Sequence, residues 1–198
     1  TERTRAIIPV HMLGEMSDMA AIMKVASRYE LSVIEDAAQA LGASQFGVPA
    51  GFFGHAAAFS TDAGKTLSTG EGGMVVTQDQ DIYERARALH DHGHAYQPEV
   101  PRGRDAAVCV GFNYRMTEIQ AAIGLAQLQK LDFIRNEQRK NKQALVERMG
   151  ELPAVFRRSI DPSGDAGDTL VFLMPNPESS REMVKLLGAG GISTKNLP

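Results

Sequence analysis

A single cysteine, Cys109, stands in 198 residues, which excludes an internal disulfide and fits a reducing, cytoplasmic setting. There is no surplus of positive charge. The 21 Lys and Arg stand against 24 Asp and Glu, a formal net charge of -3, so the chain has no basic footprint for nucleic acid. Nor is there an apolar run of about 18 residues, so no membrane-spanning helix is predicted. The opening "TERTRAIIPVHMLGE" lacks the charged head and long apolar stretch of a secretory signal. Repeats and low-complexity tracts are absent as well. What remains is an ordinary globular composition, 43% hydrophobic, long enough for one large domain or for one domain and part of another. The first residues enter a strand almost at once, and the last, "GGISTKNLP", begin a strand-like segment and stop, so pieces are expected to be missing at both ends.

Strand and helix patterns alternate, which predicts an α/β fold with a mostly parallel sheet covered by helices. "AIIPV" (6–10) and "LSVIE" (31–35) read as strands, and "AAAFS" (56–60) and "MVVT" (74–77) as two more. Between the first pair, Ser17 or Asp18 caps a helix whose apolar positions Met19, Ile22, Met23, Ala26 and Tyr29 recur at three-to-four spacing. A second helix is predicted over 81–89, running into "HDHGH". Thr117 and Gln120 have capping-box spacing ahead of "AAIGLAQLQKLDFI", and one long helix is expected to continue through 135–149. After about residue 151 the loop "PSGDAGD" and the strand "TLVFLM" open a smaller α+β unit. The expected division is a large domain over 1–131, a connecting helix over 132–150 and the start of a small C-terminal domain over 151–198.

The stretch "AAAFSTDAGKTLSTGEGGMVVT" (56–77) holds one lysine, Lys65, among Gly, Ser and Thr between two apolar runs. Small neighbours let Lys65 approach a ligand closely; the alternative is an ordinary turn. A P-loop reading fails because G-x-x-x-x-G-K-[ST] needs glycine where Phe59 stands. A dinucleotide loop fails because "TGEGG" leads into a strand, not into a helix whose free amides hold a pyrophosphate. The third reading is a Schiff-base lysine, whose amine loses its proton beside a cofactor's cationic ring and attacks an aldehyde such as that of pyridoxal phosphate (PLP). PLP also needs a carboxylate for its pyridine nitrogen and hydroxyl or amide donors for its phosphate. Asp36 stands just past the carboxyl end of an apolar strand, where open α/β sheets bind ligands, and Gln39 follows three residues on. Taken alone, an Asp after a strand, such as Asp36, is more often a helix cap.

"PVHMLGEMSDM", "VIEDAAQALGA", "AAAFSTDAGKTLSTGEGGMVV", "HDHGH" and "GFNYRMTEIQAAIGLAQLQKLD", in that order over residues 6–134, resemble the DegT/StrS family of PLP-dependent sugar aminotransferases. The resemblance implies the fold-type I, aspartate-aminotransferase architecture: the C-terminal portion of a mostly parallel PLP-binding large domain, then part of a small α+β domain. It implies that Lys65 is the Schiff-base lysine, Asp36 the pyridine-nitrogen partner, Gln39 a contact of the cofactor ring and Ser60 a phosphate ligand. Asn113 of "GFNYRM" matches a residue that reaches the phosphate of the neighbouring subunit's cofactor, which implies a homodimer. The family's commoner wording has an aromatic and a proline between serine and lysine; here the four residues are "TDAG". Gly70, Gly72 and Gly73 are expected to serve backbone geometry and close approach.

"HDHGH" offers a metal reading, with His90, His92 and His94 at alternate positions. The preceding helix and a stop at Gly93 would scatter the rings, so no metal site is expected. His94 with Arg102 and Arg104 of "PRGRD" is the candidate contact for an anionic substrate, with solvated loop charge as the plain alternative. The implied reaction moves an amino group from L-glutamate to a keto sugar in two halves, Lys65 serving first as nucleophile and then as proton carrier. The wording of these motifs is similar to a branch that aminates an eight-carbon keto-octulosonate. Nucleotide-linked keto-hexoses, aminohydroxybenzoate formation and a non-catalytic regulatory or partner protein stand beside it.

Overall fold

The computed structural model describes residues 1–101, 104–150, 152 and 154–194. Along the chain run β1 (Ala6–Ile7), α1 (Met19–Arg28), β2 (Ser32–Asp36), the hairpin β3 (Ser44–Gln45) and β4 (Val48–Pro49), β5 (Ala56–Ser60), β6 (Gly73–Val76) and α2 (Gln80–His90). Then follow α3 (Glu118–Leu128), α4 (Leu131–Arg148), β7 (Val155–Phe156), β8 (Phe172–Leu173) and α5 (Pro177–Ala189). β1, β2, β5 and β6 form one sheet in that order, parallel except for β6, which returns antiparallel to β5. The α/β reading with a mostly parallel sheet therefore holds.

Local chemistry explains the boundaries. Pro9 has no N–H to give the ladder, so the strand predicted over 6–10 stops pairing after Ile7, and Val10 rejoins as an isolated bridge to Asp36. Of the two candidate caps, Asp18 is the one used: its side chain accepts from the Ala21 N–H at 3.0 Å. α1 then sets Met19 and Ala26 against Val33 of β2, with Ile7, Ile22, Met23 and Phe53 around them.

The long helix expected through 149 is two helices. Neither glycine nor proline breaks it; the Lys130 N–H bonds the Gln127 carbonyl at 2.9 Å, tightening the last turn, and the Ile134 N–H restarts the ladder on Lys130 at 2.9 Å. The capping box of α3 is complete in both directions between Thr117 and Gln120. Of "TLVFLM", Phe172–Leu173 pair with β7, and the Val171 carbonyl accepts from the Arg157 N–H at 3.0 Å. The strand-like reading of the last segment is also corrected: α5 closes on Gly190, residues 191–194 are irregular, and the remainder lies outside the described residues.

Residues 157–166 reach back to residues 12–46 and to α4. Arg157 donates to the carbonyls of Met12 (3.2 Å) and Leu13 (3.0 Å) and pairs with Glu15 at 3.0 Å. Asp161 accepts from the Phe46 N–H at 2.6 Å, the Ala166 N–H bonds the Gly14 carbonyl at 2.9 Å, and Arg139 and Lys142 both bond Asp165. These contacts fix loop 12–16, which borders the site described next.

Candidate functional site

Because β2 and β5 run parallel with Asp36 opposite Ala58, Asp36 and Ser60 come out at the carboxyl ends of neighbouring strands, on the edge where open sheets bind ligands. The backbone of Asp36 is held on both sides: its N–H bonds the Pro9 carbonyl and its carbonyl accepts from the His11 N–H, each at 2.9 Å. Its Oδ1 accepts from the Ala38 N–H at 3.1 Å, and Oδ2 has no protein partner among the described residues. Gln39 sits in consecutive turns, Ala40 to Ala37 and Ala43 to Ala40, both 3.0 Å, and not on a helix. Loop 12–14 holds it: its Oε1 accepts from the Leu13 N–H at 3.4 Å and its carbonyl from the Gly14 N–H at 2.9 Å.

Lys65 rides on a clamped loop. The Thr61 N–H bonds the Gly72 carbonyl at 3.0 Å and the Thr69 N–H bonds the Thr61 carbonyl at 2.9 Å. The two threonine hydroxyls share a hydrogen bond of 2.8 Å, and both residues and Leu67 are buried. Gly72, at φ +147°, closes the clamp: a Cβ there would stand 2.8 Å from Thr61 Oγ1 and from Met116 Cε. At Gly73 a Cβ would lie 2.6 Å from the Phe59 carbonyl oxygen. These contacts bear out the close-approach role expected of Gly72 and Gly73; at Gly70, with φ +83°, a Cβ would meet nothing within 4 Å, so only its backbone geometry calls for glycine. Among the described residues Lys65 Nζ has one acidic neighbour, Asp62 Oδ2 at 3.9 Å, whose side chain is 44% exposed. Asp62 belongs to the departing "TDAG", so the variant wording supplies the lysine with a weak, solvent-screened counter-charge.

The residues present fit PLP. Asp36 Oδ2 is an acceptor without a protein partner, suited to a pyridinium N–H; Ser60, at the strand end, receives only a long 3.4 Å bond from the Asp62 N–H and keeps its hydroxyl proton for a phosphate; Lys65 supplies a loosely paired amine.

A second cluster lies around α2's end. Gly93, at φ +82°, returns its N–H to the Ala88 carbonyl at 2.8 Å and stops the helix as expected. It does not scatter all three rings. His90 turns to the Arg87 carbonyl, while the His92 and His94 rings stand 6.0 Å apart, and ligand atoms of Asp91, His92 and His94 lie within 4.8 Å of one another. Asp91 is already engaged by the Tyr96 hydroxyl (2.7 Å), His92 Nδ1 (3.0 Å) and Arg115 Nε (3.4 Å), so a cation there would compete with a guanidinium. His94 Nδ1 is paired with Asp105 at 2.8 Å. Arg104 is exposed, and Arg102 lies outside the described residues. Asn113, also exposed, accepts from Arg115 Nε at 2.9 Å. No hydrogen bond or ion pair among the described residues joins Asn113, His94 or Arg104 to Lys65, Asp36, Gln39 or Ser60. A groove of about 830 Å³ along β6, between Tyr83, Arg87, Tyr114 and Gln120, reaches Gly72 but neither Lys65 nor Asp36.

The buried pair His11 and Glu35 was not anticipated. Its signal was present: Glu35 shares the covered face of β2 with Val33, where a charge needs partners.

Known structures share this architecture. An aminotransferase from Psychrobacter cryohalolentis superposes with a TM-score of 0.89 at 30% identity, over 96% of this chain and 53% of that one. A GDP-4-keto-6-deoxy-D-mannose-3-dehydratase from E. coli with bound hydrated PLP superposes at 0.86 and 25% identity, over 98% of this chain and 53% of that one. The chain belongs to the DegT/DnrJ/EryC1/StrS aminotransferase family, whose model it matches over residues 1–197. PLP is that family's cofactor. Among curated relatives, a GDP-perosamine synthase from Caulobacter vibrioides is 49% identical over 132 residues, 67% of this chain and 34% of the relative. A pleiotropic regulatory protein from Geobacillus stearothermophilus is 40% identical over 159 residues, 77% of this chain and 40% of the relative. The chain thus spans less than half the length of these curated relatives and about half of the matched structures. No helix of the described residues is long and apolar enough to cross a membrane.

Proposed function

We propose that the protein transfers an amino group from L-glutamate to the carbonyl carbon of a keto sugar, using PLP. The observation that carries this is the juxtaposition of Asp36 and Ser60 at the carboxyl ends of paired parallel strands, with Lys65 on the clamped loop that follows Ser60. PLP, when bound, supplies an aldehyde for an amine and a ring that accepts the electrons of a breaking C–H bond. Asp36 would accept from the pyridine N–H and hold that proton in place. Ser60 would donate to the phosphate, and Gln39 would contact the ring. Lys65 Nζ is the nucleophile that holds the cofactor; once displaced by L-glutamate it takes the proton from the donor's α-carbon, and in the second half it delivers a proton to the sugar carbon that becomes the amine carbon. His94, Arg102 and Arg104 bind the anionic part of the sugar substrate.

A nucleotide-linked keto-hexose is the preferred acceptor, supported by the similarity to GDP-perosamine synthase; the keto-octulosonate is the runner-up. Asn113 serves the neighbouring subunit's site in a homodimer, a reading supported by the exposed Val108, Val110, Phe112 and Tyr114 around it. The likeness to a regulatory protein favours a second reading, binding without turnover. Incubation with nitrogen-labelled L-glutamate and each keto sugar separates them. Label in the sugar, lost in Lys65→Ala, supports transfer; PLP binding with no label in any sugar supports the regulator, and no PLP binding overturns both.

A further inference from the structure

Glu35 and Asp36 are consecutive on β2 and therefore point to opposite faces of the sheet. Asp36 faces the site; Glu35 is fully buried beneath it. Burying a carboxylate is costly unless its lone pairs are answered, and here they are answered completely. Oε1 accepts from the N–H groups of Phe53 (2.9 Å) and Gly54 (2.6 Å); Oε2 accepts from the Gly51 N–H (2.8 Å) and from His11 Nε2 (3.0 Å). The Ser17 N–H donates to His11 Nδ1 at 3.2 Å, so the ring proton sits on Nε2 and is directed at Glu35. His11 is equally buried.

The geometry of this pair bears on the site through two routes. His11 gives its ring proton to Glu35 and its backbone N–H to the Asp36 carbonyl at 2.9 Å, so one residue grips both members of the Glu35–Asp36 step. Glu35 in turn collects three N–H groups from turn 51–54, which leads into β5, the strand that ends at Ser60. Gly54 lets that turn come close: a Cβ there would stand 2.8 Å from the Val33 carbonyl oxygen. An apolar pair of the same volume would fill this space but would set no direction.

We infer that His11 and Glu35 are positioning residues for PLP: without touching it, they set the height and direction of the Asp36 carboxylate and its register against Ser60. This rests on the reading of Asp36 and Ser60 given under the proposed function. The effect of loosening the pair falls on cofactor affinity and on the state of the bound ring, beyond what lost stability alone produces.

The test uses the longest natural chain that contains these residues. His11→Leu removes the donor to Glu35; His11→Gln keeps a donor near the Nε2 position; Glu35→Gln sets an amide NH2 against N–H donors. Met19→Ala, in the same core and remote from the cofactor, calibrates plain destabilisation. For each, the PLP dissociation constant and the ratio of the two visible bands of bound PLP at one pH are measured beside the melting temperature. The expected result is a dissociation constant raised about tenfold or more and an altered band ratio in His11→Leu and Glu35→Gln, both recovered in His11→Gln and both unchanged in Met19→Ala. If His11→Leu does not fold, Glu35→Asp, which keeps the charge but shortens its reach, is expected to move both quantities in the same direction. Wild-type affinity and band ratio in the variants, equal changes in Met19→Ala, or no recovery in His11→Gln would overturn the inference alone. A wild-type chain that binds no PLP overturns the reading of the site and the inference with it.

Discussion

At the scale of single residues, the account places an amine, a carboxylate and a hydroxyl on one edge of a sheet and asks different work of each. Lys65 is asked for two roles, so Lys65→Ala should lose amino transfer by at least about 10²–10⁴-fold while leaving the melting temperature nearly unchanged, read by turnover and calorimetry. Glu35 makes a separate, pH-dependent prediction. Burial pushes its carboxyl up, but the hydrogen bonds from His11, Gly54, Gly51 and Phe53 outweigh burial and hold it below the ordinary 4.5. A depressed native value means that the stabilisation is complete above the unfolded value and drains away as pH falls through the native one. Unfolding free energy should therefore drop below about pH 4.5, and Glu35→Gln should flatten that acid limb. Lys65, Asp36 and Ser60 could be singled out because each stands in a long ordered motif whose chemistry asks for that residue type. Glu35 and His11 were not: their meaning depends on N–H groups of residues 51, 53 and 54, which sequence separation hides and folding brings together.

At the scale of elements, caps and alternation were readable and breaks were not. The Thr117–Gln120 box and the α1 stripe follow from spacing that a helix imposes everywhere, and both are present. The division between α3 and α4 has no proline or glycine to announce it, only a local change from i−4 to i−3 bonding at Lys130. The hairpin β3–β4 is too short to carry a pattern. Thr117→Ala should cost about 1 kcal/mol of stability, because it unties the capping box at α3's start, measured by denaturant unfolding. Met19→Ala should cost about 2–5 kcal/mol, since Met19 is fully buried between α1 and β2. At the lysine loop, Gly72→Ala forces a Cβ into Thr61, Thr69 and Met116 at a positive φ; PLP affinity should fall more than with a surface change such as Lys24→Ala.

At the scale of the whole molecule, the described residues leave apolar side chains in water, among them Val110, Phe112, Tyr114, Ile119 and Phe133. The first three flank Asn113, which forms no bond to the Lys65 group among the described residues. If Asn113 completes a neighbour's site, mixing inactive Lys65→Ala with inactive Asn113→Ala should rebuild one intact site per hybrid dimer. Statistical exchange would then restore about a quarter of wild-type activity. No recovery after exchange would mean that Asn113 does not act across the dimer, and an active Asn113→Ala would place it outside the site.

The central claim, that Lys65 carries the cofactor, is tested most directly by borohydride reduction of the PLP-treated protein, followed by peptide mass spectrometry. The account predicts one phosphopyridoxyl adduct, on the peptide containing Lys65, that disappears when L-glutamate is added before reduction. An adduct confined to another lysine, or none, would contradict it.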